Sequence, residues 1–456
     1  MPASSSTSSP SMVSASSTTT SPQLIHARWI IPVEPRGVVL EDHCVVVANG
    51  RIAAILPGAE AREQYPDVRE TSLGQHVLIP GLINLHTHAT MTLMRGLADD
   101  TPLMTWLHEH IWPAETKHLS AQFVFDGTEL ATAEMIRSGT TCFADMYFYH
   151  DVAARAALKS GMRAALGGAI LEFPTPYAAD AEGYLAKGIA TREEFLAESR
   201  LKLLLAPHAP YTVSDKTIQR VVTIAAEMDV PVMMHIHETL DECAQSEAEY
   251  GVRPIARLER LGMLGPNLIA VHCVHMTAIE IALFAKRGVH VAHCPVSNLK
   301  LGSGIAPIQA MLTAGINVGV GTDGCASNNR LDMLSETRLA SLLQKGITGD
   351  AAALPAHQAL EMATLNAAKA LGWDDDIGSL VPGKAADMVA IDLSSIETQP
   401  CYDPKSHLFH AASREHVTHS WVAGELLLDN GALTRIDINE LKTNARIWQQ
   451  RLRPNA

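Results

Sequence analysis

Through the middle of the chain, short runs of almost unbroken apolar residues alternate with longer stretches whose apolar positions recur every three or four residues. The apolar runs are VLIPGLINLHTH, GTTCFADMYF, RAALGGAIL, LKLLLAPHAPYT, VPVMMHIHE, LIAVHCVHM, VHVAHCPVSN and INVGVGTDG. The intervening stretches include SDKTIQRVVTIAAEM after the fourth run and TAIEIALFAKRG after the sixth. A three-to-four-residue period marks a helix with one buried face, whereas a strand apolar throughout must be covered on both faces. Eight such strand and helix units predict an α/β chain whose residues 80–380 form a parallel (β/α)8 barrel of the TIM type.

Both ends of the chain carry a different pattern. HARWIIPVEP, HCVVVANGRIAAILPG and SLGQHVLIPG near the start, and GSLVPGKAADMVAIDL and VTHSWVAGELLLDNG near the finish, read as short strands between glycine turns. Asn49-Gly50 is a two-residue hairpin signal. These segments predict a small β-sandwich domain built from residues 23–79 and 381–440, followed by a helix or tail over 441–456. Residues 1–22, MPASSSTSSPSMVSASSTTTSP, have neither a basic start nor an apolar core. They read as a disordered Ser/Thr-rich tail and not as a signal or transit peptide.

Composition narrows the function. At 456 residues, 47% hydrophobic and 18% charged, the chain can bury a large core. A formal net charge of −14 without a Lys/Arg cluster argues against a nucleic-acid partner. The uncharged span 301–322 holds Pro307, Gln309, Asn317 and five glycines, so it reads as a helix, a turn and a buried strand, and no membrane partner is expected. Seven cysteines, odd in number and without CxxC spacing, fit reduced thiols in the cytoplasm.

The polar residues of the apolar runs gather at their C-terminal ends, where barrels of this kind do chemistry. His86 and His88, at i and i+2 of one strand, share a face with their bases roughly 7 Å apart. His208 ends the fourth run, His235 and Glu238 the fifth, His272 the sixth and Asp323 the eighth. Three neutral imidazoles and a carboxylate suit a divalent transition metal and leave a position for water.

In this order, LHTH, HIHE, HCVH, HCPVSN and GTDG resemble the amidohydrolase superfamily, and IGSLVPGKAADMVAID is similar to its return strand into a small β-sandwich. The resemblance spans residues 24 to about 431. It implies that His86, His88, His235 and Asp323 bind one divalent metal ion per chain, that Glu238 and Asp323 handle protons, and that His272 holds the attacking hydroxide and the developing charge. A second ion would need a bridging carboxylate or carbamylated lysine at the end of the fourth strand, where LAPHAPYT offers His208. Zn2+ is the default for such donors, and Fe2+ or Mn2+ share them.

The loop ADDTPLMTWLHEHIWPAE resembles that of the branch that deaminates 5′-methylthioadenosine and S-adenosylhomocysteine, where the glutamate of a Pro-x-Glu step binds ribose hydroxyls. By that likeness Glu115 reads the ribose and His208 contacts the nucleoside. Trp106 and Trp112 either pack on the purine or anchor the loop. Gly167 and Gly168 stand where a relative handling homocysteine would offer a basic residue, which favours 5′-methylthioadenosine or adenosine over S-adenosylhomocysteine. Arg163, before the strand, reads as structural. The irregularly spaced His407, His410, His416 and His419 read as loop and sandwich surface. The expectation is a metal-dependent aminohydrolase of a small-molecule nucleoside, forming a homo-oligomer as its relatives commonly do. A guanine deaminase, a triazine chlorohydrolase and a non-catalytic scaffold of the same fold are the alternatives. HCPVSN lacks the second cysteine that a deaminase of the cytidine type requires.

Overall fold

The computed structural model describes residues 22–453; the Ser/Thr-rich stretch read as a tail, at residues 1–21, lies outside the described residues, as do residues 454–456. Eight parallel strands form the barrel: Leu82–Thr87, Thr140–Tyr147, Arg163–Ile170, Leu201–Pro207, Val232–Ile236, Leu268–His272, His290–His293 and Val318–Val320. Every residue of the second and third strands is buried, as unbroken apolar runs require when helices cover the outside. The first and last strands meet through Asp323 N donating to His86 O at 2.9 Å and through Asn84, which exchanges hydrogen bonds with Thr322 at 2.7 and 2.9 Å. Gly321 permits this closure, because a Cβ there would lie 2.7 Å from the backbone nitrogen of His86.

The chain ends build one continuous eight-stranded sheet. Its order is Ala432–Leu433, Glu425–Asp429, Val417–Val422, Met388–Asp392, Arg69–Pro80, Gln23–Ile30, Leu40–Ala48 and Arg51–Pro57. The sandwich is this single sheet folded on itself. Ile52 N donates to Lys384 O and Ala386 N to Gly50 O, both at 2.9 Å, and Ile25, Val45, Met388 and Trp421 share the enclosed core. The sequence run VLIPGLINLHTH therefore serves two layers: the sheet strand ends at Pro80 and the barrel strand begins at Leu82. Gly81 marks the transfer, since a Cβ there would fall 2.0 Å from Thr141 Oγ1. The C-terminal helix, Ile438–Leu452, starts earlier than its expected residue 441 and docks on the barrel through Trp448, whose Nε1 donates to Asp126 Oδ2 at 2.7 Å.

Sheet and barrel are also joined by a buried ion pair. Arg163, the first residue of the third strand, places Nε 2.7 Å from Asp387 Oδ2, and both side chains are 3% exposed. This bears out the structural reading of Arg163. Removing one partner of a buried pair leaves the other charge uncompensated, so Arg163→Met should lower unfolding free energy by about 3–5 kcal/mol. The check is the urea midpoint at unchanged m-value; an unshifted midpoint would show that Asp387 finds another partner.

Candidate active site

The strand ends bring the sequence-predicted donors together at one mouth of the barrel. His86 Nε2 lies 3.2 Å from His235 Nε2 and 3.3 Å from Asp323 Oδ1, and His88 Nε2 lies 3.2 Å from the same oxygen. Two overlapping groups of potential ligands result: His86, His235 and His272, and His86, His88 and Asp323. The outer nitrogens are occupied elsewhere. His88 Nδ1 meets Met146 O at 2.6 Å and His86 Nδ1 faces Met233 Sδ at 3.1 Å, which turns both Nε2 atoms inward.

The donor chemistry fits a cation. Asp323 Oδ2 accepts from Ser297 Oγ at 2.6 Å and Ser327 Oγ at 2.8 Å, while Oδ1 is buried without a hydrogen-bond partner. Burial by itself would raise the Asp323 carboxyl; the imidazoles of His86 and His88 prevail and hold it well below the usual carboxylate range. Burial and the neighbouring rings push His235 well below the usual imidazole range, so it presents a lone pair. At His88 burial is outweighed by Asp323, which carries the imidazole up to about 9, so a cation binding there displaces a proton.

Glu238 sits beside this cluster with Oε2 3.6 Å from His272 Nε2, and burial raises its carboxyl. It does not pair with His237, which turns towards Glu280 and Arg253. The turn carrying Glu238 is held by Glu242, whose carboxylate accepts from the backbone nitrogens of His237 and Glu238 at 2.9 Å each. His237, His272 and Asp323 all have left-handed backbones, with φ of 54°, 72° and 60°. For non-glycine residues this stores strain, and it falls where three strands present side chains to one cavity.

The segment 103–118 covers the cavity. It contains a π-helical stretch, Trp106–Ile111, and the helix Trp112–His118. Leu103, Trp106, Leu107, Ile111, Trp112 and Glu115 line the cavity with His88, His208, His235, Glu238, His272 and Asp323. Glu115 is buried, accepts from Tyr147 Oη at 2.7 Å, and has its carboxyl pushed by burial up to about 7. The His208 ring lies 4.8 Å from that of His235, and its Nδ1 meets Thr212 Oγ1 at 3.1 Å. Trp106 Nε1 is buried without a partner. Among the described residues, no lysine or arginine lines this cavity.

Two sequence-based readings need correction. Gly167 and Gly168 are not where a basic residue would reach the substrate. Gly167 abuts Leu204 and Ala206, Gly168 abuts His150, and Ala169 and Leu171 supply this strand's share of the wall. His419 is not surface: it is 5% exposed and stacks on Trp421 at 5.5 Å. Sequence reasoning also passed over Tyr147, Glu242, Ser297, Asn298 and Ser327. Ser297 and Asn298 lie inside the quoted HCPVSN.

The amidohydrolase family model matches residues 77–427. A 5-methylthioadenosine/S-adenosylhomocysteine deaminase from Teredinibacter turnerae is 46% identical over 431 residues, 94% of this chain and 97% of that protein. The crystal structure of an adenosine deaminase from Xanthomonas campestris with bound zinc matches with a TM-score of 0.93 at 49% identity, over 94% of this chain and 98% of that one. A zinc complex of an atrazine chlorohydrolase from Arthrobacter aurescens TC1 matches with a TM-score of 0.88 at 24% identity, over 93% and 99% of the two chains, and shares the fold.

Proposed function

The chain belongs to the amidohydrolase family, and from that premise we propose that it is a metal-dependent aminohydrolase of adenine nucleosides, acting on 5′-methylthioadenosine and adenosine. The observation that carries the substrate is Glu115, a buried carboxylate in the same cavity as Glu238 and the metal donors. A carboxylate accepts from both hydroxyls of a vicinal diol, which a free base lacks. The apolar wall without a lysine or arginine makes S-adenosylhomocysteine, with its charged amino-acid end, the poorer substrate.

His86, His88, His235 and Asp323 would hold a single divalent ion, zinc. When bound, it would supply Lewis-acid activation, which lowers the pKa of water to about 7. The chain's residues then move protons. As the water oxygen bonds to C6 of the purine, Glu238 and Asp323 take its protons and Glu238 delivers one to ring N1. His272, through Nε2, accepts a hydrogen bond from the attacking hydroxide and so holds it in place. When the bond from C6 to its amino nitrogen breaks, a proton passes to the leaving group and ammonia departs, leaving the inosine-type product. The net charge of −14 fits a small-molecule partner, and seven free cysteines, six of them buried, fit the cytoplasm. Among the described residues no helix is long and apolar enough to cross a membrane.

The test is ammonia release from 5′-methylthioadenosine, S-adenosylhomocysteine, adenosine and guanine, read together with metal content. Adenine nucleosides should turn over, and a preference for guanine would sink the assignment. Within that assay, Glu115→Ala should cost a ribonucleoside roughly 3 kcal/mol of transition-state binding, on the order of a hundredfold in kcat/KM. An analogue lacking both ribose hydroxyls should lose far less, and the double cycle exposes the coupling. Equal losses for both substrates would leave Glu115 as a support of the covering segment.

A further inference from the structure

The seventh strand, His290–His293, places no side chain in the cavity wall. The short helix after it, Pro295–Lys300, instead touches two of the groups that face the reaction. Ser297 Oγ donates to Asp323 Oδ2 at 2.6 Å, and the next residue, Asn298, has its side-chain oxygen 2.8 Å from His272 Nδ1. Asn298 and His272 are each 1% exposed, so no bulk water competes for that bond. The amide nitrogen of Asn298 is equally buried and has no partner. A residue selected to fill space would not keep a buried amide with one half unused, because an unsatisfied polar group costs about 1–3 kcal/mol.

We propose that Asn298 is a positioning residue that fixes the tautomer and rotation of His272. In a histidine, the hydrogen bond made by one ring nitrogen decides what the other offers. Asn298 accepts from Nδ1–H, which commits Nε2 to the side of Glu238 Oε2, 3.6 Å away, and of the reacting oxygen. His272 projects from a left-handed backbone, and the loss of this anchor lets the ring turn about its side-chain bonds. The helix is itself pinned: Asn298 N donates to Cys294 O at 3.0 Å, and Val296 N donates to the buried Glu336 Oε2 at 3.3 Å. One helical turn thus holds His272 and Asp323 in a fixed mutual arrangement.

The inference rests on the deaminase reading of this site, and the experiment separates the two. The zinc-loaded full chain is assayed first on adenosine and 5′-methylthioadenosine; no turnover there defeats the deaminase reading itself. Asn298→Leu keeps the size and removes the acceptor. Its kcat should fall by about 10–100-fold, the scale for partners that orient groups at a metal site, with KM and metal content unchanged. A second readout is the ring itself: in 15N spectra of the full chain, His272 should carry its proton on Nδ1 in the parent and lose that preference in the leucine variant. Wild-type kcat in the leucine variant would overturn the proposal. So would a parent His272 ring that carries its proton on Nε2, since Asn298 would then be donating to Nδ1 or merely filling space. If the leucine variant loses metal, the ring tautomer of the parent decides alone.

Discussion

His235→Ala should lose its metal and its activity together. His235 comes from the fifth strand and faces His86 of the first at 3.2 Å. Its imidazole is one of the converging donors, and burial with the neighbouring rings keeps it neutral and ready to ligate. Elemental analysis should give one transition-metal ion per wild-type chain and less than stoichiometric metal in the variant, with ammonia release from adenosine below detection. Chelation of the wild-type protein should abolish the same activity, and added zinc should restore it. Two stoichiometric ions, each required for turnover, would overturn the single-metal reading. It relies on the end of the fourth strand presenting His208 instead of a bridging anion.

Glu238→Gln should separate proton transfer from metal binding. The amide keeps the shape of the side chain but has no proton-accepting oxygen of comparable basicity. Metal content should stay at one per chain while kcat falls by at least about 100-fold, the lower end of the range for general acid and base catalysis. The geometry supports this separation, because Glu238 lies beside His272 and falls in neither group of converging donors. If the glutamine variant comes out without metal, Glu238 is a ligand and another group must carry the protons.

The barrel and its metal donors were legible because an apolar strand buried on both faces has no structural use for a histidine or an acid at its end. His86, His88, His235, His272 and Asp323 stand out for that reason, and the fold brings them together. What the sequence could not convey was direction and partnership. Gly167 and Gly168 are adjacent in the chain but point to opposite sides of their strand, one onto the Leu204 and Ala206 layer inside the barrel and one onto His150 outside. Neither reaches the cavity, so a substrate argument placed on them had no footing. Tyr147 and Glu115 are 32 positions apart, and nothing in either local pattern signals their hydrogen bond. Glu242 and Asn298 act through neighbours, and their residue types are ordinary for a helix and a turn. The likeness of the loop ending in Pro113-Ala114-Glu115 did more than periodicity could, and burial of Glu115 in the cavity agrees with it.

The transfer of one chain segment from sheet to barrel at Gly81 has a consequence for biosynthesis. Residues 76–80 pair on one side with Met388–Asp392, about 300 residues later in the chain. At the usual pace of translation, about 5–20 residues per second, that edge waits roughly 15–60 seconds for its partner. During this interval the strand leading directly into His86 and His88 presents unpaired backbone groups, the condition under which nascent chains associate with one another. Release of the chain before Met388 would leave that edge permanently open. The histidine pair would then hang from a strand anchored on one side, so that this half of the metal site depends on a strand made about 300 residues later.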